Sequence, residues 1–131
     1  MNKLIFKSRY KTEMIDITSA VNELIVTSGK KSGVVNLFAP HSTCGLFICE
    51  NHDPNLQRDL LKKLHQFFPG DGQYAHLGGN GDAHMKSSFM GVSVCVPFDN
   101  AKLALGEWQG VFIADFDGPR DRSVLVTLLD S

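Results

Sequence analysis

Residues 33–50 have the sequence GVVNLFAPHSTCGLFICE, and this stretch decides the fold of the chain. Gly33–Ala39 and Gly45–Glu50 are short, mostly apolar runs of the length typical of buried strands, separated by the polar segment Pro40–Cys44. A helix is predicted directly after them, because Asp53 is a good capping residue and Pro54 suits the first helical position. The stretch therefore predicts two buried strands that lead into a helix.

The rest of the chain extends this pattern on both sides. Apolar residues recur at helical spacing as far as Phe68, and Pro69–Gly72 is predicted to end that helix. A short helix is predicted after Thr18 or Ser19, with Gly29 at its end. Further strands are predicted at Lys3–Ser8, Thr12–Ile17, Val92–Phe98, Leu103–Leu105, Glu107–Phe116 and Ser123–Leu129, with a hairpin turn at Arg9–Lys11 and a helical turn at His84–Met90. This order predicts an α+β fold: a largely antiparallel β-sandwich of about seven strands (β-β-α-β-β-α-β-β-β) with helices to one side.

Composition narrows the class of protein. A chain of 131 residues with 43% hydrophobic and 21% charged residues is typical of a single globular domain, here residues 1–131. The net charge of −1 and the lack of a Lys/Arg block argue against nucleic acid as a partner. No apolar run is long enough to span a membrane, so no membrane partner is expected. Three cysteines without metal-type spacing predict reduced thiols in a cytoplasmic protein.

The segment Tyr74–Lys86 concentrates polar chemistry around three glycines. Its histidines, His76 and His84, would lie roughly 26 Å apart in a strand and roughly 12 Å apart in a helix, so only a folded-back loop lets them share an ion. Gly78, Gly79 and Gly81 permit the positive φ angles that such a loop uses. Two interpretations stay open: a loop that collects metal or phosphate ligands, and a surface loop with two solvated histidines.

Other polar residues at strand ends extend the candidate site. His41 joins His76 and His84 as a third histidine in a polar loop, and three imidazoles with one open position are the ligands of a catalytic zinc ion. Glu50 follows a buried-type strand, where it is a candidate general base or histidine partner. A Ser42–His41 nucleophile pair and a Cys44 thiolate are weaker alternatives, because sequence adjacency does not supply the required geometry and a free cysteine beside an apolar strand is usually a core residue.

Anion binding is predicted beside the metal site. Backbone N–H groups in glycine-rich loops form anion-binding nests, and Lys86 and Arg120 supply cationic groups. Hydroxyl groups that suit the same purpose are those of Ser42, Thr43, Ser87 and Ser88.

Several ordered motifs resemble the YjbQ-type family, whose members are commonly described as secondary thiamine-phosphate synthases. The family pattern has His-Thr-Thr, Glu-Asn-Ala-Asp-Pro, Asn-Ala-Asp-Ala-His-Ile-Lys-Ala-Ser and Gly-Thr-Trp-Gln-Gly. This chain departs from it at Ser42, His52, Gly81, Met85, Ser87 and Glu107 without losing a candidate ligand. The resemblance runs from about Asp16 to the C-terminus and is carried by His41–Thr43, Glu50–Pro54, Gly79–Ser88, Leu105–Gly110 and Phe116–Arg120.

The resemblance implies an α+β sandwich that assembles as a homotrimer, with a metal-capable three-histidine site near subunit boundaries. Three imidazoles favour zinc as the divalent metal and also accept nickel, copper or iron, and magnesium is the possible companion of pyrophosphate. The expected substrate is a phosphorylated small molecule. The implied reaction joins a hydroxymethylpyrimidine diphosphate to a thiazole phosphate and releases pyrophosphate, and a weak activity of this kind satisfies the resemblance equally well. The assigned roles are catalytic for Glu50, Asp82 and His84, substrate-binding for Ser42, Thr43, Asn80, Lys86 and Arg120, and metal-binding for His41, His76 and His84.

Two other functions remain open from the sequence. One is a zinc-dependent hydrolase of a phosphorylated small molecule, in which Glu50 or Asp82 acts as base to a bound water. The other is a non-catalytic trimeric protein that binds a metabolite or a metal.

Overall fold

The computed structural model describes residues 1–131 and contains eight strands and three helices. The elements are β1 (Asn2–Lys7), β2 (Glu13–Asp16), α1 (Thr18–Ser28), β3 (Gly33–Phe38), β4 (Cys44–Glu50), α2 (Pro54–Phe67), α3 (Gly81–Met90), β5 (Ser93–Asp99), β6 (Lys102–Leu103), β7 (Gln109–Asp115) and β8 (Asp121–Asp130).

The strands form two antiparallel sheets. The larger sheet has the order β1-β8-β3-β5-β6, and the smaller sheet has the order β2-β7-β4. Every pairing in both sheets is antiparallel. The predicted α+β class with a largely antiparallel sandwich is therefore confirmed.

The small sheet is covered on both faces, which explains the unbroken apolar runs of its central strands. On one face, Leu46 and Ile113 join the core between the two sheets, to which α1 contributes Val21 and Ile25. On the other face, Phe112 belongs to a second cluster that includes residues of α2 and α3. Thus α2 and α3 lie on one side of the fold as predicted, whereas α1 completes the central core.

The start of α2 follows the local rule predicted for it. The side chain of Asp53 accepts a hydrogen bond from the backbone N–H of Asn55 at 2.9 Å, and Pro54 occupies the first helical position. None of the three helices combines the length and apolarity that crossing a bilayer requires.

The predicted hairpin at Arg9–Lys11 is wrong. β1 pairs with β8 in the large sheet, and β2 pairs with β7 in the small sheet. The segment between β1 and β2 therefore carries the chain from one sheet to the other, because β7 and β8 are themselves in different sheets.

Candidate functional site

The glycine-rich segment ends earlier than predicted, because α3 begins at Gly81. Gly79 has the positive φ angle of +76° that only glycine adopts easily. At Gly81, a Cβ atom would meet the ring of Tyr74 at 2.7 Å, so glycine is needed there for close packing. The Tyr74 hydroxyl donates to the carbonyl of Pro69 at 2.7 Å, which holds the loop folded back over the start of α3.

The helix separates residues that the loop interpretation had placed together. Asp82 and Lys86 are four residues apart on one face of α3, and both are buried. His84 is two residues from each of them and therefore points about 200° away around the helix axis. The predicted single cluster is thus divided between the two faces of α3.

On the outer face, the structure brings the two histidines of the segment together. The ring centroids of His76 and His84 lie 4.8 Å apart, with the ring planes tilted by 54°. The backbone N–H of Gly78 donates to Nδ1 of His76 at 3.2 Å, which leaves Nε2 of that ring as its other nitrogen. The chain therefore has the folded-back geometry that brings these two imidazoles together.

On the inner face, Lys86 donates to Oδ2 of Asp82 at 2.8 Å. Both side chains are only 4% exposed. Burial alone would raise the pKa of Asp82, but the hydrogen bond and the positive charge of Lys86 outweigh it and lower that pKa. Asp82 is therefore an ionised partner of a lysine, with its Oδ1 atom buried and without a hydrogen-bond partner.

A second buried network lies at the end of β7. The carboxylate of Asp115 accepts hydrogen bonds from Nε of Arg122 at 3.0 Å, Nη2 of Arg122 at 2.8 Å and the hydroxyl of Ser8 at 2.6 Å. Arg122 also donates to the hydroxyl of Thr43 at 2.7 Å. The hydroxyl oxygen of Thr43 therefore already accepts a hydrogen bond from Arg122 and holds that guanidinium in place.

Asp117 links two of the predicted substrate-binding residues. Its Oδ2 atom accepts from Nδ2 of Asn80 at 2.9 Å and from Nη2 of Arg120 at 3.2 Å. The Arg120 side chain is half exposed, so it remains available to an anion in solvent. Oδ1 of Asn80 is buried and has no hydrogen-bond partner.

His41 lies beside β8 and forms no three-residue metal group with the imidazole pair. The backbone N–H of Ser123 donates to its Nε2 atom at 2.9 Å. Burial and the positive charge of Arg122 lower the pKa of His41, so the ring is neutral at pH 7 and carries its proton on Nδ1. In this arrangement Nδ1 is an N–H donor, and the lone pair of Nε2, the atom that could bind a metal ion, is already used by the Ser123 N–H.

Glu50 lies at the opposite end of β4 from Thr43, roughly 20 Å along the strand. Its two carboxylate oxygens accept the backbone N–H groups of His52 at 3.0 Å and Asp53 at 3.1 Å. Glu50 therefore stabilises the turn that leads into α2, and its catalytic role stays a prediction.

Ser42, a predicted substrate-binding residue, is exposed to solvent.

The two alternative nucleophiles gain no support from the structure. Burial raises the pKa of Cys44 to about 12, so this thiol is protonated at neutral pH. Nε2 of His41 is turned toward Ser123, whose hydroxyl lies 3.3 Å away. Within the chain, no three His, Cys, Asp or Glu side chains form a group that could hold a metal ion.

Four residues of these networks were not predicted from the sequence: Ser8, Asp115, Asp117 and Arg122. Asp115 and Arg122 did carry a signal, because each is a charged residue directly beside the apolar part of a strand. Asp117 lies within a motif that carried the family resemblance, yet only Arg120 was selected from that motif.

Ser8→Ala is expected to destabilise the fold more at pH 6 than below about pH 4, because Ser8 donates a hydrogen bond to the ionised carboxylate of Asp115. Burial raises the pKa of Asp115, but hydrogen bonds from Arg122 and Ser8 outweigh it and lower that pKa below its ordinary value. A lowered pKa stabilises the fold above the unfolded value of about 4, and this stabilisation is lost as the pH falls toward the folded value. Loss of a hydrogen bond to a charged group should cost about 1.5–3 kcal/mol at pH 6, and the difference from wild type should shrink below about pH 4.

Urea unfolding of wild type and Ser8→Ala between pH 3 and pH 7 measures this difference. Ser42→Ala, which removes an exposed hydroxyl, is the matched control and should change little at any pH. A Ser8→Ala difference that is constant across this pH range would contradict the coupling to Asp115.

The sequence of this chain is similar to those of one protein family. The family model described as "UPF0047 protein YjbQ-like" matches residues 2–131. The chain is 40% identical over 131 residues to UPF0047 protein MJ1081 of Methanocaldococcus jannaschii, which covers 97% of this chain and 95% of that protein. It is 38% identical over 130 residues to UPF0047 protein YugU of Bacillus subtilis, which covers 98% of each.

Solved structures of relatives have the same fold. A YjbQ/UPF0047 family protein from Clostridium acetobutylicum superposes with a TM-score of 0.95 at 42% identity, covering 98% of this chain and 100% of that one. The conserved hypothetical protein TT1486 from Thermus thermophilus gives a TM-score of 0.92 at 39% identity, with the same coverage. The chain therefore belongs to the YjbQ/UPF0047 family.

Proposed function

We propose that this protein is a metal-assisted enzyme that acts on a phosphorylated small molecule. The observation that carries the proposal is the imidazole pair His76–His84, whose ring centroids lie 4.8 Å apart on the outer face of α3. Two imidazoles at the edge of a glycine-rich loop are a donor set that suits a borderline-soft divalent ion, and zinc is the ion we propose.

Two ring nitrogens are placed to bind such an ion, one from each histidine of the pair. Nε2 of His76 is the nitrogen left after Nδ1 accepts the Gly78 N–H, and His84 supplies the second ring. His41 is the third ligand that the motif resemblance implies; in this chain its Nε2 atom accepts the Ser123 N–H, and it forms no three-residue metal group with the pair. A bound divalent ion would supply Lewis-acid polarisation of a phosphoryl oxygen.

The protein's own groups would hold the phosphorylated substrate. Arg120 is half exposed and is oriented by Asp117, so its guanidinium can donate two parallel hydrogen bonds to a phosphate. Ser42 adds an exposed hydroxyl on the loop before β4. These donors would stabilise the negative charge that develops on a departing diphosphate.

The reaction we propose is of the secondary thiamine-phosphate synthase type. The thiazole nitrogen bonds to the methylene carbon of hydroxymethylpyrimidine diphosphate, and the bond from that carbon to the diphosphate oxygen breaks, releasing pyrophosphate. Magnesium is the proposed companion of the diphosphate. Support for this reaction comes from the motif resemblance, which also supports a homotrimer. The three free cysteines support a cytoplasmic location.

The hydrolase alternative is less favoured by the geometry. It requires a free carboxylate as base, whereas Asp82 is paired with Lys86 and both oxygens of Glu50 accept backbone N–H groups. A non-catalytic trimeric binding protein is the remaining alternative, and it differs from the proposal in retaining ligands without turning them over.

His84→Ala is expected to abolish stoichiometric zinc binding and to lower thiamine phosphate formation at least tenfold, because it removes one of the two paired imidazoles. His84 is half buried at the surface of α3, so the variant should still fold. The measurements are zinc content per subunit of tag-free protein and product formation from the two co-substrates with and without added zinc.

His52→Ala is the matched control, because His52 is an exposed histidine at the other end of β4 that packs against Trp108. It should leave zinc content and product formation unchanged. Unaltered product formation by His84→Ala would refute the enzymatic proposal. Zinc retained by wild type without turnover of any tested phosphoester would favour the binding-protein alternative.

A further inference from the structure

A cleft separates α2 from the inner face of α3, on the side of the helix opposite His84. Its volume is about 270 Å³. This is just below the range of about 300–1,000 Å³ that is usual for sites of drug-sized ligands, so the cleft suits a smaller molecule. The residues that line it are Thr12, Leu61, Lys62, Leu64, His65, Lys86 and Phe116.

The polar side chains that line the cleft are those of two lysines, a histidine and a threonine, and no acidic side chain lines it. Lys86 is the buried cation, whereas Lys62, His65 and Thr12 are exposed at the mouth. The Lys86 ammonium has three N–H donors, and Asp82 accepts one of them at 2.8 Å. The remaining donors make this lysine a partner for a second anion.

The apolar residues that line the cleft indicate that the ligand also has an apolar body. Leu64 and Phe116 are buried residues of the second hydrophobic cluster, and Leu61 packs against that cluster. A molecule that entered the cleft would therefore bury an apolar body against these side chains while its charged end met the lysines. Burial of this apolar surface would strengthen the binding of the charged end.

We propose that this cleft binds a small phosphomonoester with an aromatic or aliphatic body. A phosphate is favoured over a carboxylate because four donor side chains, those of Thr12, Lys62, His65 and Lys86, line the cleft. The three oxygens of a phosphate monoester can accept from more of them than two carboxylate oxygens can. Because the cleft and His84 lie on opposite sides of α3, this binding goes beyond the proposed function and does not depend on it.

The test uses phenyl phosphate as the probe, with inorganic phosphate and phenol as comparison ligands, in calorimetric titrations of the full chain. Phenyl phosphate should bind at least tenfold more tightly than either comparison ligand. Lys62→Glu should weaken phenyl phosphate at least tenfold. Lys63→Glu makes the same change in net charge at an exposed neighbouring position that does not line the cleft, and it should stay within twofold of wild type.

Two further outcomes decide the proposal. Equal loss of binding in Lys62→Glu and Lys63→Glu would overturn it, because the effect would then be one of net charge. Phenol binding as tightly as phenyl phosphate would also overturn it. His84→Ala should bind phenyl phosphate like wild type, so that a failure of the metal-assisted activity and a failure of the cleft give different results.

Discussion

Arg122→Met is expected to lower the free energy of unfolding by about 3–5 kcal/mol, because it leaves the carboxylate of Asp115 buried without its cation. The Asp115 residue is 1% exposed and Arg122 is 4% exposed, so water cannot replace the lost partner in the folded state. Arg122 also donates to Thr43 at the start of β4, so its loss removes a bond between β8 and the loop that holds His41. Urea unfolding at fixed protein concentration measures the change.

Arg120→Met is the matched control for this substitution. Arg120 is two residues away, but its guanidinium is 53% exposed and contacts Asp117 at 3.2 Å. Exposed ion pairs contribute only about 0–1 kcal/mol, so the control should be nearly as stable as wild type. The double substitution Asp115→Asn with Arg122→Met should recover most of the loss, because the unpaired charge is gone. Equal effects of the two arginine substitutions would contradict the role assigned to burial.

Features set by neighbouring residues could be predicted from the sequence, whereas contacts between distant parts of the chain could not. The helix α2 was predictable because its signals, Asp53 and Pro54, act on their immediate neighbours. The pairing of β1 with β8 was not, because it joins Asn2 to Val126 and no local turn specifies it. The partners of Asp115 were not predicted because Ser8 is 107 residues away along the chain and Arg122 lies in the other sheet.

The residues of the candidate site were chosen from the sequence by type, and the arrangement that the structure gives them was not predicted. The glycines suggested a loop that leads into the helical turn predicted at His84–Met90, whereas the helix already begins at Gly81 and places Asp82 and Lys86 inside. In retrospect the four-residue spacing of Asp82 and Lys86 was a helical signal, because oppositely charged residues at this spacing stabilise a helix. Glycine at the first helical position masked that signal.

Lys86→Met is expected to be the second strongly destabilising substitution, at about 3–5 kcal/mol, because it leaves Asp82 ionised and unpaired inside the protein. The lysine is the only hydrogen-bond partner of Oδ2 of Asp82, and Oδ1 already lacks one. The pair lies beneath α2, next to Leu64, so the loss should loosen the contact between α2 and α3. Lys63→Met, on the exposed face of α2, is the control and should be close to wild type.

The double substitution Asp82→Asn with Lys86→Met separates the stabilising role of this pair from any role in ligand binding. It removes both charges at nearly constant volume, so most of the stability should return in urea unfolding at pH 7. Phenyl phosphate binding should not return with it, because the buried cation of the cleft is still missing. A single Lys86→Met variant that loses less than about 1 kcal/mol would show that the pair is solvated, since exposed pairs contribute no more than this. A stable double variant that binds phenyl phosphate like wild type would mean that Lys86 serves the fold alone.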